Sequence, residues 1–93
     1  MKNRITLKKI EKYEKLTKKA LEIAKKSIIK SKEKEAKEII EMVSNYLSDS
    51  SYFKSKKDFV SAFAAINYAH GWLDSGARLG IFETNNNELF TIK

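Results

Sequence analysis

The chain has 93 residues with no Cys and a single His, which predicts one small domain and excludes a disulfide framework, thiolate ligands and a zinc centre. Its net charge is +7, and the excess lies in residues 1–31, where eleven Lys or Arg stand against three Glu. Because no apolar stretch reaches the length of a membrane span, we expect no membrane segment and a cytoplasmic location. The scarcity of His and Cys predicts that the chain binds no metal, and we expect no cofactor.

The first predicted helix covers about residues 5–29. Its apolar stripe recurs at three- and four-residue steps. The stripe comprises Ile10, Tyr13, Leu16, Thr17, Ala20, Leu21, Ala24 and Ile28. The opposite side is rich in Lys and includes Lys8, Lys12, Lys15 and Lys19. A Lys stripe opposite the apolar stripe is typical of a solvated helix face. Nucleic-acid recognition is less favoured, because Lys lacks the planar fork with which Arg binds phosphates and bases. Nucleic-acid binding by these four lysines stays open as the alternative.

The second predicted helix covers about residues 32–55. Ser31 is a plausible N-cap, and Glu33 and Glu35 follow in the first turn, where the helix dipole favours anions. The polar run at residues 48–51 could end this helix early. However, the seven-residue step from Tyr46 to Phe53 keeps the apolar stripe in phase, so we predict that the helix continues to about residue 55.

The third predicted helix covers about residues 58–79 and begins at Asp58 as its N-cap. Two adjacent apolar stripes make it apolar over more than half of its circumference, so we expect it to be the central element of the fold. One stripe comprises Phe59, Ala62, Phe63, Ile66, Ala69, Leu73 and Ala77, and the other Ala65, Tyr68, Trp72 and Leu79. Gly76 or Gly80 is the expected C-terminal signal.

The tail, residues 81–93, differs from the helical segments. Two β-favouring segments flank three consecutive Asn, a composition that suits a turn. An isolated two-stranded hairpin is marginal in water, so the tail must dock on the helices or on a partner. The predicted fold is therefore all-α, a three-helix up-and-down antiparallel bundle with a short C-terminal tail of β-like composition.

Four polar residues of the third helix, Asn67, His70, Asp74 and Arg78, fall within about 80° of one another on a helical wheel. His70–Asp74 and Asp74–Arg78 are i,i+4 pairs, so their side chains could bond in series. A His oriented by an Asp suits acid–base catalysis, but no nucleophile motif accompanies the pair, and we assign no catalytic residue. A structural polar edge is the favoured interpretation, with a small-ligand or nucleotide site as the alternative.

Gly71 and Trp72 are the other notable residues of the third helix. A Gly inside a helix costs about 1 kcal/mol relative to Ala, which suggests that something approaches the backbone at Gly71. A neighbouring helix is the commonest cause, and a second subunit or a ligand are the alternatives. Trp72 lies on the second stripe with Tyr68 and Leu79. If two partner helices cannot cover it, this group would anchor an interface.

The same stretch resembles a known family. The segment Phe59-Val-x-Ala-x-Ala-Ala, followed by Tyr68-Ala-His-Gly-Trp-Leu-Asp74 and Gly76, resembles the signature of a small archaeal family, domain of unknown function 357. The resemblance extends more loosely over residues 10–92. It implies an archaeal, cytoplasmic protein with an up-and-down three-helix bundle. Some relatives carry a similar domain fused to a nucleotidyltransferase-like domain, which implies a binding or accessory role. The family brings no activity or catalytic residue to carry over.

These observations favour a non-enzymatic protein-interaction or accessory module, with the third helix and the tail binding a protein partner or a second copy of the chain. The residues of this ligand or partner surface are Asn67, Tyr68, His70, Gly71, Trp72, Asp74 and Arg78. The alternatives are a nucleic-acid-associated protein that uses the Lys-rich first helix, and a module that binds a small ligand or nucleotide at the third helix.

Overall fold

The computed structural model describes residues 4–84 and residue 90. It contains three α-helices, α1 (Leu7–Lys25), α2 (Glu33–Ser55) and α3 (Phe59–Arg78), packed against one another as a bundle. The all-α prediction is therefore confirmed.

Helix α1 is shorter than predicted at its C-terminal end. Thr6 caps its first turn by accepting a hydrogen bond from the Lys9 amide at 3.1 Å. The helix ends at Lys25, because the chain that follows is drawn into contact with the start of the tail. Ile28 forms an isolated antiparallel bridge with Phe82, and the Ile29 amide donates to the Ile81 carbonyl at 3.0 Å. The prediction that Ile28 belongs to the helical stripe is thus wrong.

Helix α2 begins almost where predicted, but without the predicted cap. Ser31 has a left-handed backbone (φ 80°), and the N-cap position belongs to Lys32, whose side chain makes no capping bond. Glu33 and Glu35 lie in the first turn, as predicted. The helix runs without interruption through residues 48–51 to Ser55, which confirms the longer of the two alternatives.

Helix α3 is bounded by two local motifs. Asp58 accepts a hydrogen bond from the Ser61 amide at 3.1 Å and is the predicted N-cap. At the other end Gly80 adopts a φ of 76°, and the Ile81 amide donates to the Gly76 carbonyl at 2.8 Å. The weaker bond from the Gly80 amide to the Ala77 carbonyl completes a Schellman motif. Gly80 is therefore the glycine that ends the helix.

Helix α3 is central, as predicted, because it packs extensively on α2 and on α1, whereas α1 and α2 touch each other little. Its inner side is lined mostly by small residues. The buried residues of α3 are Ala62, Ala65, Ile66, Ala69, Leu73 and Gly76. Small side chains let neighbouring helices approach closely, and larger side chains then lie at the edges of each contact.

The aromatic residues of the helices lie at the edges of the core: Tyr46, Phe53, Phe59 and Phe63 pack against it, so the prediction that most of them are core residues is confirmed only in part. Seven of them recur at helical core spacing, a pattern that predicts a core position for most of them. None is fully buried: four are half-buried and three are exposed. The half-buried ones are Tyr46, Phe53, Phe59 and Phe63, and the exposed ones are Tyr13, Tyr68 and Trp72. The buried rings belong instead to Phe82 and Phe90 of the tail.

The tail docks on the bundle, as its composition required. Ile81, Phe82 and Phe90 belong to the main core cluster together with residues of all three helices. The Phe82 ring lies against Gly76, where a Cβ would come within 2.5 Å of it. Within the described residues the β-like character amounts to the single bridge between Ile28 and Phe82. The predicted Asn turn and second strand lie largely outside the described residues.

Candidate protein-binding surface

The outer side of α3 presents three large apolar side chains to solvent. Tyr68 is 62% exposed, Trp72 is 40% exposed and Leu79 is 75% exposed. They fall within about 40° of one another around the helix, so they form one row along it. Single exposed apolar residues are ordinary, but a row that includes a Trp and a Tyr has the composition of an interface anchor.

A groove between α2 and α3 adjoins this row. Its volume is about 470 Å³. The apolar lining consists of Ile39 and Met42 from α2, Trp72 and Leu79 from α3 and its C-cap, and Ile81 from the tail. Three exposed carboxylates of α2, those of Glu35, Glu38 and Glu41, complete the lining. The groove is thus apolar with acidic residues on its α2 side.

Two shallower hollows continue the groove along α3. One, of about 300 Å³, is lined by Asn67, Tyr68, Gly71, Trp72 and Ser75. The other, of about 250 Å³, includes Tyr46, Ala65 and Tyr68. Because the groove and one hollow share Trp72, and the two hollows share Tyr68, these depressions are neighbours, and we call the groove and the two hollows together the α2–α3 surface.

The α2–α3 surface is held in place by contacts beneath it. The Tyr68 ring stacks on the Tyr46 ring of α2, with centroids 5.5 Å apart and planes inclined by 28°. Such a stack fixes the Tyr68 side chain while leaving much of it accessible. An aromatic residue held in this way loses little conformational entropy when a partner covers it.

Gly71 does not serve close packing against any other described part of the chain. Apart from its chain neighbours and the backbone of its own helix, no described residue has an atom within 4 Å of the place where its Cβ would be, and Gly71 is exposed. The interpretation that a neighbouring helix packs there is therefore wrong for the described part of the chain. The close approach occurs at Gly76, where a Cβ would meet the Phe82 ring and Ile39.

The predicted polar set divides into two pairs. His70 and Asp74 are partly buried at the contact with α1: the Thr17 hydroxyl lies 3.2 Å from His70 Nδ1, and His70 Nε2 lies 3.8 Å from Asp74 Oδ1. Asn67 and Arg78 are exposed. Of the four, only Asn67 lines one of the depressions described above. The small-ligand hypothesis for this set stays a prediction.

The four lysines of the nucleic-acid alternative, Lys8, Lys12, Lys15 and Lys19, are all exposed on α1. A wide hollow of about 520 Å³ lies at the start of this helix, lined by Thr6, Lys8, Lys9, Lys12 and Tyr13. The Lys12 ammonium is 5.9 Å from the centre of the Tyr13 ring. Basic and aromatic groups are therefore adjacent at this end of the bundle.

Among the described residues, no group of three or more His, Cys, Asp or Glu side chains is placed to hold a metal ion. None of the described helices combines the length and the hydropathy needed to cross a bilayer.

Of the seven residues that the sequence predicted for a ligand or partner surface, four line the α2–α3 surface, three do not, and no residue of α2 was predicted. The four are Asn67, Tyr68, Gly71 and Trp72, and the three are His70, Asp74 and Arg78. Glu35, Glu38, Glu41 and Met42 had no assigned role. A signal was present, because the three Glu recur at every third position beside the apolar stripe of α2. Whether that edge meets α3 or solvent depends on the rotation of α2 in the bundle, which the sequence pattern does not fix.

A family model matches most of the chain. The family model DUF357, described as a protein of unknown function, matches residues 12–82, which is well over half of the chain. No curated protein and no solved structure matches the chain.

Proposed function

We propose that this chain, which belongs to the DUF357 family, is a non-enzymatic protein-binding module that contacts its partner through the α2–α3 surface. The proposal includes the cytoplasmic location and the archaeal origin that the sequence resemblance implies. Binding would centre on Tyr68, Trp72 and Leu79, with Gly71 allowing close approach of the partner.

The observation that carries the proposal is the exposure of this apolar row on the central helix. Interface hot spots are enriched in Trp and Tyr, and they lie in apolar patches surrounded by polar groups. Trp72 lies at the junction of the groove and one hollow, with Leu79 on one side and Tyr68 on the other. Covering these side chains would remove apolar surface from water, which is the main driving force of association.

Gly71 gives independent support. A Gly in a helix interior costs about 1 kcal/mol relative to Ala, and no contact within the described chain accounts for it. A partner that lies against the α3 backbone would account for it, because Gly removes the side chain that would hold the two apart. The hollow in which Gly71 lies is bordered by Tyr68 and Trp72.

The test is affinity capture from an extract of the source cells, with the chain immobilised and bound proteins quantified. We expect Trp72→Ser and Leu79→Ser to reduce recovery of a specific partner at least tenfold. Val60→Ser is the matched control, because Val60 is also on α3 and is 70% exposed, as Leu79 is 75% exposed, yet Val60 lines none of these depressions. Equal recovery by all variants would overturn the proposal.

A second candidate function rests on the basic hollow at the start of α1. Lys8, Lys9 and Lys12 converge there beside Tyr13, a combination that suits a phosphate backbone with an adjacent base. Affinity for single-stranded nucleic acid should fall steeply with salt, and it should be lost when Lys8, Lys12, Lys15 and Lys19 are changed to Glu. Absence of binding at low salt, or unchanged binding by that variant, would rule this candidate out.

A further inference from the structure

We propose that the groove between α2 and α3 receives a basic amphipathic helix of a partner protein. Apolar side chains of that helix would lie on Trp72, Leu79 and Met42, and its Lys or Arg side chains would face the carboxylates of α2. This inference rests on the proposed function and adds the chemistry of the partner to it.

The charge of the groove selects the partner. The chain as a whole is strongly basic, with a net charge of +7, yet the charged residues that line the groove are all acidic. They are Glu35, Glu38 and Glu41, and each is exposed. A cationic segment is therefore attracted to the groove and repelled by the Lys-rich α1, which favours docking at this position.

The spacing of the carboxylates matches a helical partner. Glu35, Glu38 and Glu41 are three residues apart, so they span about 9 Å along α2 at 1.5 Å per residue. A helix laid beside α2 presents side chains at the same three- and four-residue intervals. Its apolar stripe would then lie over the floor of the groove while its basic stripe lies beside the three Glu.

Other occupants fit less well. A symmetric contact between two copies would place the same groove on both sides, and the acidic rows would approach each other. The α1 helix of a second copy has the right charge, but its apolar stripe is used in its own core. The groove lies between two helices, so an extended peptide gains no backbone pairing from a sheet edge. Nucleic acids and anionic membranes are repelled by the carboxylates.

The test uses a synthetic amphipathic helix with Leu at core spacing and Lys on the flanking positions, and a matched peptide in which every Lys is replaced by Glu. Trp72 is the only Trp of the chain, so its fluorescence reports occupancy of the groove directly. We expect the Lys peptide to shift the emission of Trp72 in a saturable manner and the Glu peptide to produce no shift.

Two triple variants of the chain separate the acidic row from overall charge. In the first, Glu35, Glu38 and Glu41 become Gln, and we expect the affinity for the Lys peptide to fall about tenfold or more. One exposed ion pair contributes up to about fivefold in affinity, and this variant removes three such pairs together. In the second, Glu11, Glu22 and Glu83 become Gln. These exposed residues lie outside the groove, so the net charge changes equally and the affinity should be nearly unchanged.

The outcomes distinguish this inference from the proposed function. Equal binding of the two peptides, no binding of the Lys peptide, or equal losses in the two triple variants would overturn the basic-helix inference. The proposed function would still stand if capture of a cellular partner depended on Trp72 and Leu79. Conversely, if capture were independent of Trp72 and Leu79, the proposed function would fail, whatever the peptides do.

Discussion

The two sides of α3 are built in opposite ways. The inner side, which contacts α1, α2 and the tail, is composed largely of Ala and ends at Gly76. The outer side carries Tyr68, Trp72 and Leu79, all exposed. A helix that served folding alone would bury its largest apolar side chains. The division in α3 therefore separates residues that stabilise the bundle from large apolar residues that remain exposed to solvent, and the proposed function assigns the latter to a partner.

The two glycines within α3 repeat this contrast. Gly76 lies on the inner side, where the Phe82 ring and Ile39 occupy the space that a side chain would need. Gly71 lies on the outer side with open space in front of it. At Gly76 a contact within the chain therefore excludes a side chain, whereas at Gly71 we assign the absence of a side chain to contact with a partner.

The largest expected effect on stability comes from a comparison of Leu73, in α3, with Leu79, at its C-cap. Leu73 is fully buried in the main core, and Leu73→Ala should lower the free energy of unfolding by about 2–5 kcal/mol through lost burial and cavity formation. Leu79→Ala should change it by no more than about 0.5 kcal/mol, because the side chain is 75% exposed. Urea denaturation measures both. A large loss for Leu79→Ala would mean that the outer side also stabilises the fold.

Gly76→Ala should destabilise the protein by up to about 2 kcal/mol. The new methyl group would be 2.5 Å from the Phe82 ring, and overpacking of this kind costs about 1–3 kcal/mol, partly offset by the better helix propensity of Ala. Thermal and urea unfolding give the measurement. The double variant Gly76→Ala with Phe82→Leu tests the cause, because it should recover part of the stability. A failure to recover any would place the strain elsewhere.

The sequence predicted the helices well because their signals are local. The helical spacing of apolar residues predicted the three segments. The Asp58 cap and the glycine at the end of α3 follow from capping interactions that involve only neighbouring residues. The exposure of Trp72 also agrees with the sequence pattern, because two partner helices cannot cover both of the broad apolar stripes of α3.

Several of the predictions that failed depend on contacts distant in sequence. Residues 27–29 leave the helix because they pair with residues 81–83, a partner no local pattern reveals. The inner side of α3 has small residues, so Phe82 and Phe90 supply the buried rings and the helical aromatics lie at the edges. To predict that the three Glu of the groove lie beside α3, one would need to know how α2 is rotated in the bundle, and that rotation is set by helix packing alone.

Gly71→Ala should act in the opposite direction to Gly76→Ala. Because no other described part of the chain would contact the added methyl group, the helix propensity of Ala should raise the free energy of unfolding by about 1 kcal/mol. Under the proposed function the same substitution weakens capture of the partner, because the methyl group occupies the hollow between Tyr68 and Trp72. Denaturation and capture are measured on one preparation. A variant that gains stability and keeps full capture would show that Gly71 does not face the partner.

The smallest effect concerns the border between the two sides, where His70 lies beside Thr17 of α1. Thr17→Val keeps the shape of a buried side chain but removes its hydrogen bond, so we expect a loss of about 0.5–1 kcal/mol by urea denaturation. Asn67→Ala is the control, because Asn67 is exposed and its loss should leave stability unchanged within about 0.5 kcal/mol. Capture of the partner should be unaffected by Thr17→Val if His70 serves the contact between α1 and α3. If Thr17→Val instead left stability intact and reduced capture, His70 would belong to the binding side, and the border between the two sides of α3 would lie closer to α1.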